Sequence, residues 1–239
     1  MRTIRVASYN VHKCQGVDGR VRPDRIARVL EEINADIVGL QEVVSHPERR
    51  PEDHQACFLA AACKMDYVQV STRKHLGGVY GNVILTRFPI LLHENVDITR
   101  RGREERSVQR VDHKVEGRHL HVFNLHLGTS FFERRHQARS LMEHTILRAH
   151  NLEGERIVIG DLNEWTRGLV TRTLTQELRR VDLEIPMFRK RTFPALFPLF
   201  HLDYIYYEHT LRVRDAFFHH SRVSMLASDH LPLVADFAL

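Results

Sequence analysis

Residues 156–163 read RIVIGDLN, a short apolar run that stops abruptly at Gly160, Asp161, Leu162 and Asn163. A run of this length, rich in β-branched residues and lacking alternation, reads as a strand buried on both faces rather than a helix. Asp161 and Asn163 then stand at its mouth, two residues apart and so on one side of an extended chain. Taken alone, the pair is also what a turn or a helix cap requires. The same construction recurs along the chain, however. Asn10 closes RVASYN, Gln41 and Glu42 close DIVGL, and Asn124 with His126 ends LHVFNLH. Asp203 sits in HLDYIYY, and Asp229 with His230 precedes LPLVADF. Polar groups at strand ends of one rigid scaffold are placed to share a cleft. Glu42 is the most telling, because a carboxylate ending an apolar strand must be solvated, paired or metal-bound.

Around these strand ends the pattern alternates. A strand over 3–11 precedes Pro23, which suits a first helical turn, and Ile26, Val29, Leu30 and Ile33 follow at helical spacing. Strands are expected at 36–40, 82–86, 108–115, 119–125, 156–159, 202–207, 213–217 and 233–237. Helices are expected at 52–65, 132–150 and 166–180. The second of these has an apolar stripe through Ala138, Leu141, Met142, Thr145 and Ala149, and a basic face with Arg134, Arg135, Arg139 and His144. Strands outnumber helices, and hairpins mix with crossovers, which fits an α/β (α+β) mixed-sheet sandwich better than a doubly wound sheet. No repeat or linker divides the chain, so one domain over 1–239 is expected.

Composition narrows the class. The 239 residues carry 35 Lys+Arg and 30 Asp+Glu, a net charge of +5, with 43% hydrophobic and 27% charged residues, which excludes a disordered chain. Three cysteines, Cys14, Cys57 and Cys63, argue against a disulfide framework. No apolar stretch follows the first Met, and the longest apolar run, ALFPLF at 195–200, has six residues; a cytoplasmic protein without a transmembrane segment is expected.

Seven segments stand in one order from Ser8 to Phe237: SYNVHK, DIVGLQEV, GNVILTRFPI, FNLHLG, IVIGDLNEW, LDYIYY and SDHLPLVADF. In that order they resemble the endonuclease/exonuclease/phosphatase superfamily, which has the deoxyribonuclease I fold. The resemblance implies a four-layer sandwich, two packed mixed β-sheets flanked by helices, that hydrolyses a phosphoester with an activated water. It implies Mg²⁺ or Mn²⁺ at Glu42, Asn10 and Asp229, hard oxygen donors of the kind these cations take. It implies that Asp161 orients and deprotonates the water, that Asn163 and His230 contact it or the phosphate, and that Asp203 orients His230. His126 is expected to clamp the phosphate or protonate the leaving group, and Asn82, Asn124 and Arg106 are further candidates for phosphate contacts.

The residues after the first and second motifs, Val11-His12-Lys13 and Val43, differ from those of the DNA-repair members. The pattern is closer to stand-alone bacterial members and, more loosely, to sphingomyelinases. A phosphodiesterase acting on a nucleic acid, a phospholipid head group or a small diester is therefore expected. The alternatives are a non-specific DNA/RNA nuclease, a phosphomonoesterase or sphingomyelinase-like lipid enzyme, and, from another class, a non-catalytic anion-binding scaffold. The loop at 186–201, with Phe188, Phe193, Phe197 and Phe200, is expected to pack beneath the last strands; peripheral membrane contact is the alternative.

Overall fold

The computed structural model describes residues 2–75, 77–143, 146–149, 152–165, 168–185 and 191–239. Its strands are β1 (Thr3–Asn10), β2 (Ile37–Ser45), β3 (Asp66–His75), β4 (Gly78–Thr86), β5 (Ile90–Asp97), β6 (Ser107–Val115), β7 (Arg118–His126), β8 (Glu155–Asp161), β9 (Arg179–Arg180), β10 (Asp203–Tyr207), β11 (Arg212–Phe218) and β12 (Leu233–Ala238). Its helices are α1 (Pro23–Ile33), α2 (Gln55–Cys63), α3 (Phe131–Leu141), α4 (Leu169–Leu174) and α5 (Ser224–Ala227). Among the described residues, no helix is long and apolar enough to cross a membrane.

The strands form two six-stranded sheets, ordered β11-β12-β1-β2-β4-β3 and β5-β6-β7-β8-β10-β9. Each sheet holds one parallel pair among antiparallel neighbours, β1 with β2 and β7 with β8. Parallel neighbours need a crossover, which α1 and α3 supply. Register then sets Asn10 beside Gln41 in one sheet, and His126 beside Asp161 in the other. β10 adds Asp203 directly opposite Asp161. The polar strand ends thus meet because the two parallel pairs end together.

Three apolar clusters make the four layers. Ile4, Ile37 and Ile84 of the first sheet meet Val122, Ile157 and Ile159 of the second. On the outer faces, Ile26, Leu30 and Leu59 pack α1 and α2 on the first sheet, and Ala138, Leu141 and Leu174 pack α3 and α4 on the second. The sheets approach so closely that a Cβ on Gly39 would lie 2.3 Å from Cδ1 of Ile159.

A polar latch crosses this seam, and it corrects one expectation. Asn124 is fully buried; its Nδ2 donates to the carbonyls of Leu40 and Val83, both at 3.0 Å, and its Oδ1 accepts from Gln41 Nε2 at 2.8 Å. With its side chain consumed between the sheets, Asn124 is not a phosphate contact. Asn82, also buried, donates at 3.5 Å to the backbone carbonyl of Asn124 and belongs to the same seam.

Several element boundaries differ from expectation. The helix expected at 132–150 ends at Leu141. There the chain folds back, Leu147 N donating to Leu141 O, and this returns Ile146 and Leu147 to the core. The helix expected at 166–180 is the six-residue α4, whose first turn is capped by the Glu164 carboxylate accepting from Val170 N and Thr171 N, both at 3.0 Å. His144, Thr145, His150, Thr166, Arg167 and Phe188 lie outside the described residues. β3 and β5 were not anticipated, because an exposed edge strand such as β5 carries little apolar signal.

Candidate active site

Glu42 reaches the site through backbone distortion. β2 bulges between Leu40 and Val43, and Glu42 takes φ +60, a left-handed conformation costly for a residue with a Cβ. Asn163 does the same at φ +49, just past β8. Such strain persists where the surrounding structure enforces it, and it gathers at functional sites. Gly160 prepares the turn, since at φ +149 a Cβ there would strike the carbonyl of Leu125.

Asp161, 1% exposed, is the hub. Its Oδ1 accepts from Asn163 N at 2.8 Å and its Oδ2 from Asn10 Nδ2 at 3.0 Å. The same Asn10 amide lies 3.3 Å from Glu42 Oε1 and so bridges the two carboxylates. Nε2 of His126 and Nε2 of His230 each stand 3.8 Å from Asp161 Oδ2. His230 Nδ1 is 2.9 Å from Asp203 Oδ2. Ser228 Oγ donates to Asn10 O at 2.8 Å and ties the Asp229-His230 turn to the end of β1. Asp229 itself lies at the rim, 3.6 Å from His12 Nδ1.

Burial and charge set the protonation states. Burial, reinforced by nearby Asp203, pushes the Asp161 carboxyl up to about 7 against the pull of His230. For His230, burial opposes the charged form, but Asp203 and Asp161 override it and hold the ring protonated, with a pKa of about 10. His126 goes the other way: burial, reinforced by Arg106, pushes it down to about 3. Its ring is therefore held neutral near pH 7. Glu42, despite its burial, is held ionised down to about 2 by His126, Lys13 and Asn10.

The carboxyl groups Glu42, Asp161, Asp203 and Asp229 gather here with the cations Lys13 and His230, and burial is what raises Asp161. A hard divalent cation fits such a donor set. Asp161, Asp203 and His230 offer ligand atoms within 4.8 Å of one another. Yet Nδ1 of His230 is taken by Asp203, and a protonated ring does not ligate. Glu42, with the Asn10 amide 3.3 Å from its Oε1, and Asp229 at the rim are the further carboxylates of the site.

Sequence reasoning missed Lys13, whose Nζ is 3.0 Å from Glu42 Oε2. Its signal was its place three residues after Asn10. Arg106 is buried, pairs with Glu104 Oε2 at 2.8 Å and leaves its Nε without a partner. The 186–201 loop was half anticipated. Phe193 packs on His230, ring centroids 4.9 Å apart, and Trp165 and Phe200 continue the aromatic edge. Leu196, Phe197 and Leu199 are exposed instead of packing beneath the last strands.

The sequence profile of the endonuclease/exonuclease/phosphatase family matches residues 7–230. The chain belongs to that family. Its members are phosphoester hydrolases, and this chain is an enzyme of that kind. It is 29% identical to the uncharacterized protein YbhP of Escherichia coli (strain K12) over 99% of this chain and 97% of that one. Its fold is similar to that of the mannosyl-6-phosphatase Bt3783 of Bacteroides thetaiotaomicron, with a TM-score of 0.81 at 18% identity over 99% of this chain and 100% of that one. It is also similar to truncated Caenorhabditis elegans TDP2, with a TM-score of 0.72 at 20% identity over 99% and 98% of the two chains.

Proposed function

We propose that this enzyme is a Mg²⁺- or Mn²⁺-dependent phosphodiesterase in which Asp161 accepts the proton of the attacking water. The observation that carries the reading is the environment of one atom, Asp161 Oδ2, with Asn10 Nδ2 at 3.0 Å and the two imidazoles at 3.8 Å. A carboxyl raised to about 7 matches its proton affinity to neutral working conditions, as a general base requires. Glu42, Asn10 and Asp229 would hold the cation, which supplies positive charge against the phosphoryl and leaving oxygens.

The remaining residues act on position and charge. Asp203 fixes Nδ1 of His230 and keeps the ring cationic, so Nε2 donates a charged hydrogen bond to a phosphoryl oxygen as negative charge builds there. His126, neutral, supplies a hydrogen bond without adding charge. Asn163 is held by its own Nδ2 donating to Leu127 O at 2.9 Å, leaving its amide oxygen for the water or substrate. Carboxylates in excess over cations suit a diester, with one negative charge, better than a doubly charged monoester.

A parallel assay on plasmid DNA, RNA, sphingomyelin, phosphatidyl lipids and a phosphomonoester, with Mg²⁺ or Mn²⁺, tests this. A diester should be hydrolysed by the wild type and not by folded Asp161→Ala. Equal activity in the variant would sink the assignment, and turnover of the monoester alone would replace it with a phosphatase.

A further inference from the structure

The basic face of α3, with Arg135 and Arg139 exposed on it, is not flat. It forms one wall of a cavity of about 690 Å³, within the ~300–1,000 Å³ range of small-molecule sites. Arg135 and Arg139, one helical turn apart on α3, line it together with Arg134 and with Arg172 of α4. The carboxylate in the lining, Glu164, offsets part of this charge, acting on Arg134, but it makes no ion pair with the cavity's arginines. Both its oxygens are consumed by Val170 N, Thr171 N and the Thr171 hydroxyl. Arg148, also in the lining, is paired with Glu177 at 2.6 Å. Among the described residues Arg135, Arg139 and Arg172 have no carboxylate partner.

Like charges gathered in a concave space repel one another unless an anion joins them, and guanidinium forks match phosphate oxygens. Two residues of the lining, Arg134 and Glu164, link the cavity to the loops of the catalytic centre. Arg134 Nη1 donates to the carbonyls of Gly128 at 3.0 Å and Thr129 at 2.6 Å, two and three residues beyond His126, and its guanidinium feels the charges of Glu164, Glu133 and, less strongly, Asp161. Glu164 directly follows Asn163.

We propose that this arginine-lined cavity between α3 and α4 binds a second, non-scissile phosphate of the substrate while the scissile one lies at Asp161 and His230. The proposal rests on the phosphodiesterase reading for its link to turnover, but the anion site itself does not. It favours substrates bearing at least two phosphates, whether a short oligonucleotide or a phosphorylated glycerophosphodiester.

The test begins with binding, on full-length protein in chelator. Without metal the carboxylates of the active site repel anions, so inorganic tripolyphosphate reports the cavity. Calorimetry should give one site, weakened by about tenfold or more in R139Q/R172Q, since each lost charged contact to phosphate is worth that order. The charge-matched R20Q/R28Q, on the α1 side of the sandwich, should bind as the wild type does. Absence of binding, or equal weakening in both double variants, overturns the site. Turnover follows on two substrate pairs: a dinucleoside monophosphate with and without a terminal phosphate, and glycerophosphoinositol with and without a ring phosphate. The extra phosphate should lower KM about tenfold in the wild type in one pair, which names the source, and the advantage should vanish in R139Q/R172Q. No advantage in either pair overturns the substrate assignment. An enzyme inactive on all four esters that still binds tripolyphosphate defeats the phosphodiesterase reading and leaves the anion site standing.

Discussion

His230 Nδ1 and Asp203 Oδ2 lie 2.9 Å apart in the buried interior, joining a loop before β12 in one sheet to the first residue of β10 in the other. Asp203 does two things at once: it fixes the ring's orientation, and it raises the ring's proton affinity against the cost of burial.

Asp203→Asn removes the charge and keeps the shape. The rate should fall about 10²- to 10⁴-fold, the usual loss of a positioned acid or base group. Since Asp203 raises the His230 pKa, its removal lowers it. The alkaline limb of the kcat/KM profile, near 10 in the wild type, should move toward the ordinary histidine value of about 6.5. An unmoved limb would remove His230 from the chemistry.

With Asp161 as the proposed base, its ionisation should set the acid limb. Its carboxyl, raised by burial, must lose a proton to work, so activity at low metal should decline below about pH 7 rather than near 4. A nearby cation favours the ionised form. Raising Mg²⁺ should therefore shift the acid limb to lower pH, and calorimetric metal binding should weaken as pH falls through 7. A pH-independent metal affinity between pH 6 and 8 would contradict this.

The seam residue Asn124 separates structure from substrate contact. Asn124→Ala removes the hydrogen bonds to the carbonyls of Leu40 and Val83 and the one from Gln41 Nε2, and should cost about 1–3 kcal/mol in urea unfolding. KM should be unchanged for the folded fraction. A raised KM with native stability would restore the phosphate contact that the buried geometry denies.

Arg110, 4% exposed in its side chain, is held by Asp112 at 2.8 and 2.6 Å, and Asp112 also meets His121 Nδ1 at 2.8 Å. Asp112→Ala takes both of these contacts from a buried guanidinium, which keeps Glu94, at 3.2 Å, among its partners. Chemical denaturation should show a loss of about 3–5 kcal/mol. A loss under 1 kcal/mol would mean the arginine escapes to solvent.

The polar strand ends were legible because polar groups interrupt apolar runs, a pattern with few uses. Their order along the chain pointed to the sandwich. What periodicity could not show was direction and exposure. Asn124 and His126 share one strand face by alternation, yet one is sealed between sheets and the other reaches past the strand end to the cleft. Glu42 is aimed by a bulge that no composition signals. Lys13 was visible as a residue but not as a partner, because its contact with Glu42 depends on how β1 and β2 align. The exposed Leu196 and Phe197 had the composition of core residues, and burial cannot be read from hydrophobicity alone.

The close approach at Gly39 and the latch at Asn124 hold together two sheets that each contribute half of the site: Asn10 and Glu42 from one, His126, Asp161 and Asp203 from the other. A slip of one sheet over the other would separate base from cation before it exposed any apolar core. Heat should thus silence this enzyme ahead of its unfolding, and lineages adapting to higher temperature must tighten the seam first. The α3–α4 cavity lies outside that joint, so changes there leave the alignment of the two sheets untouched.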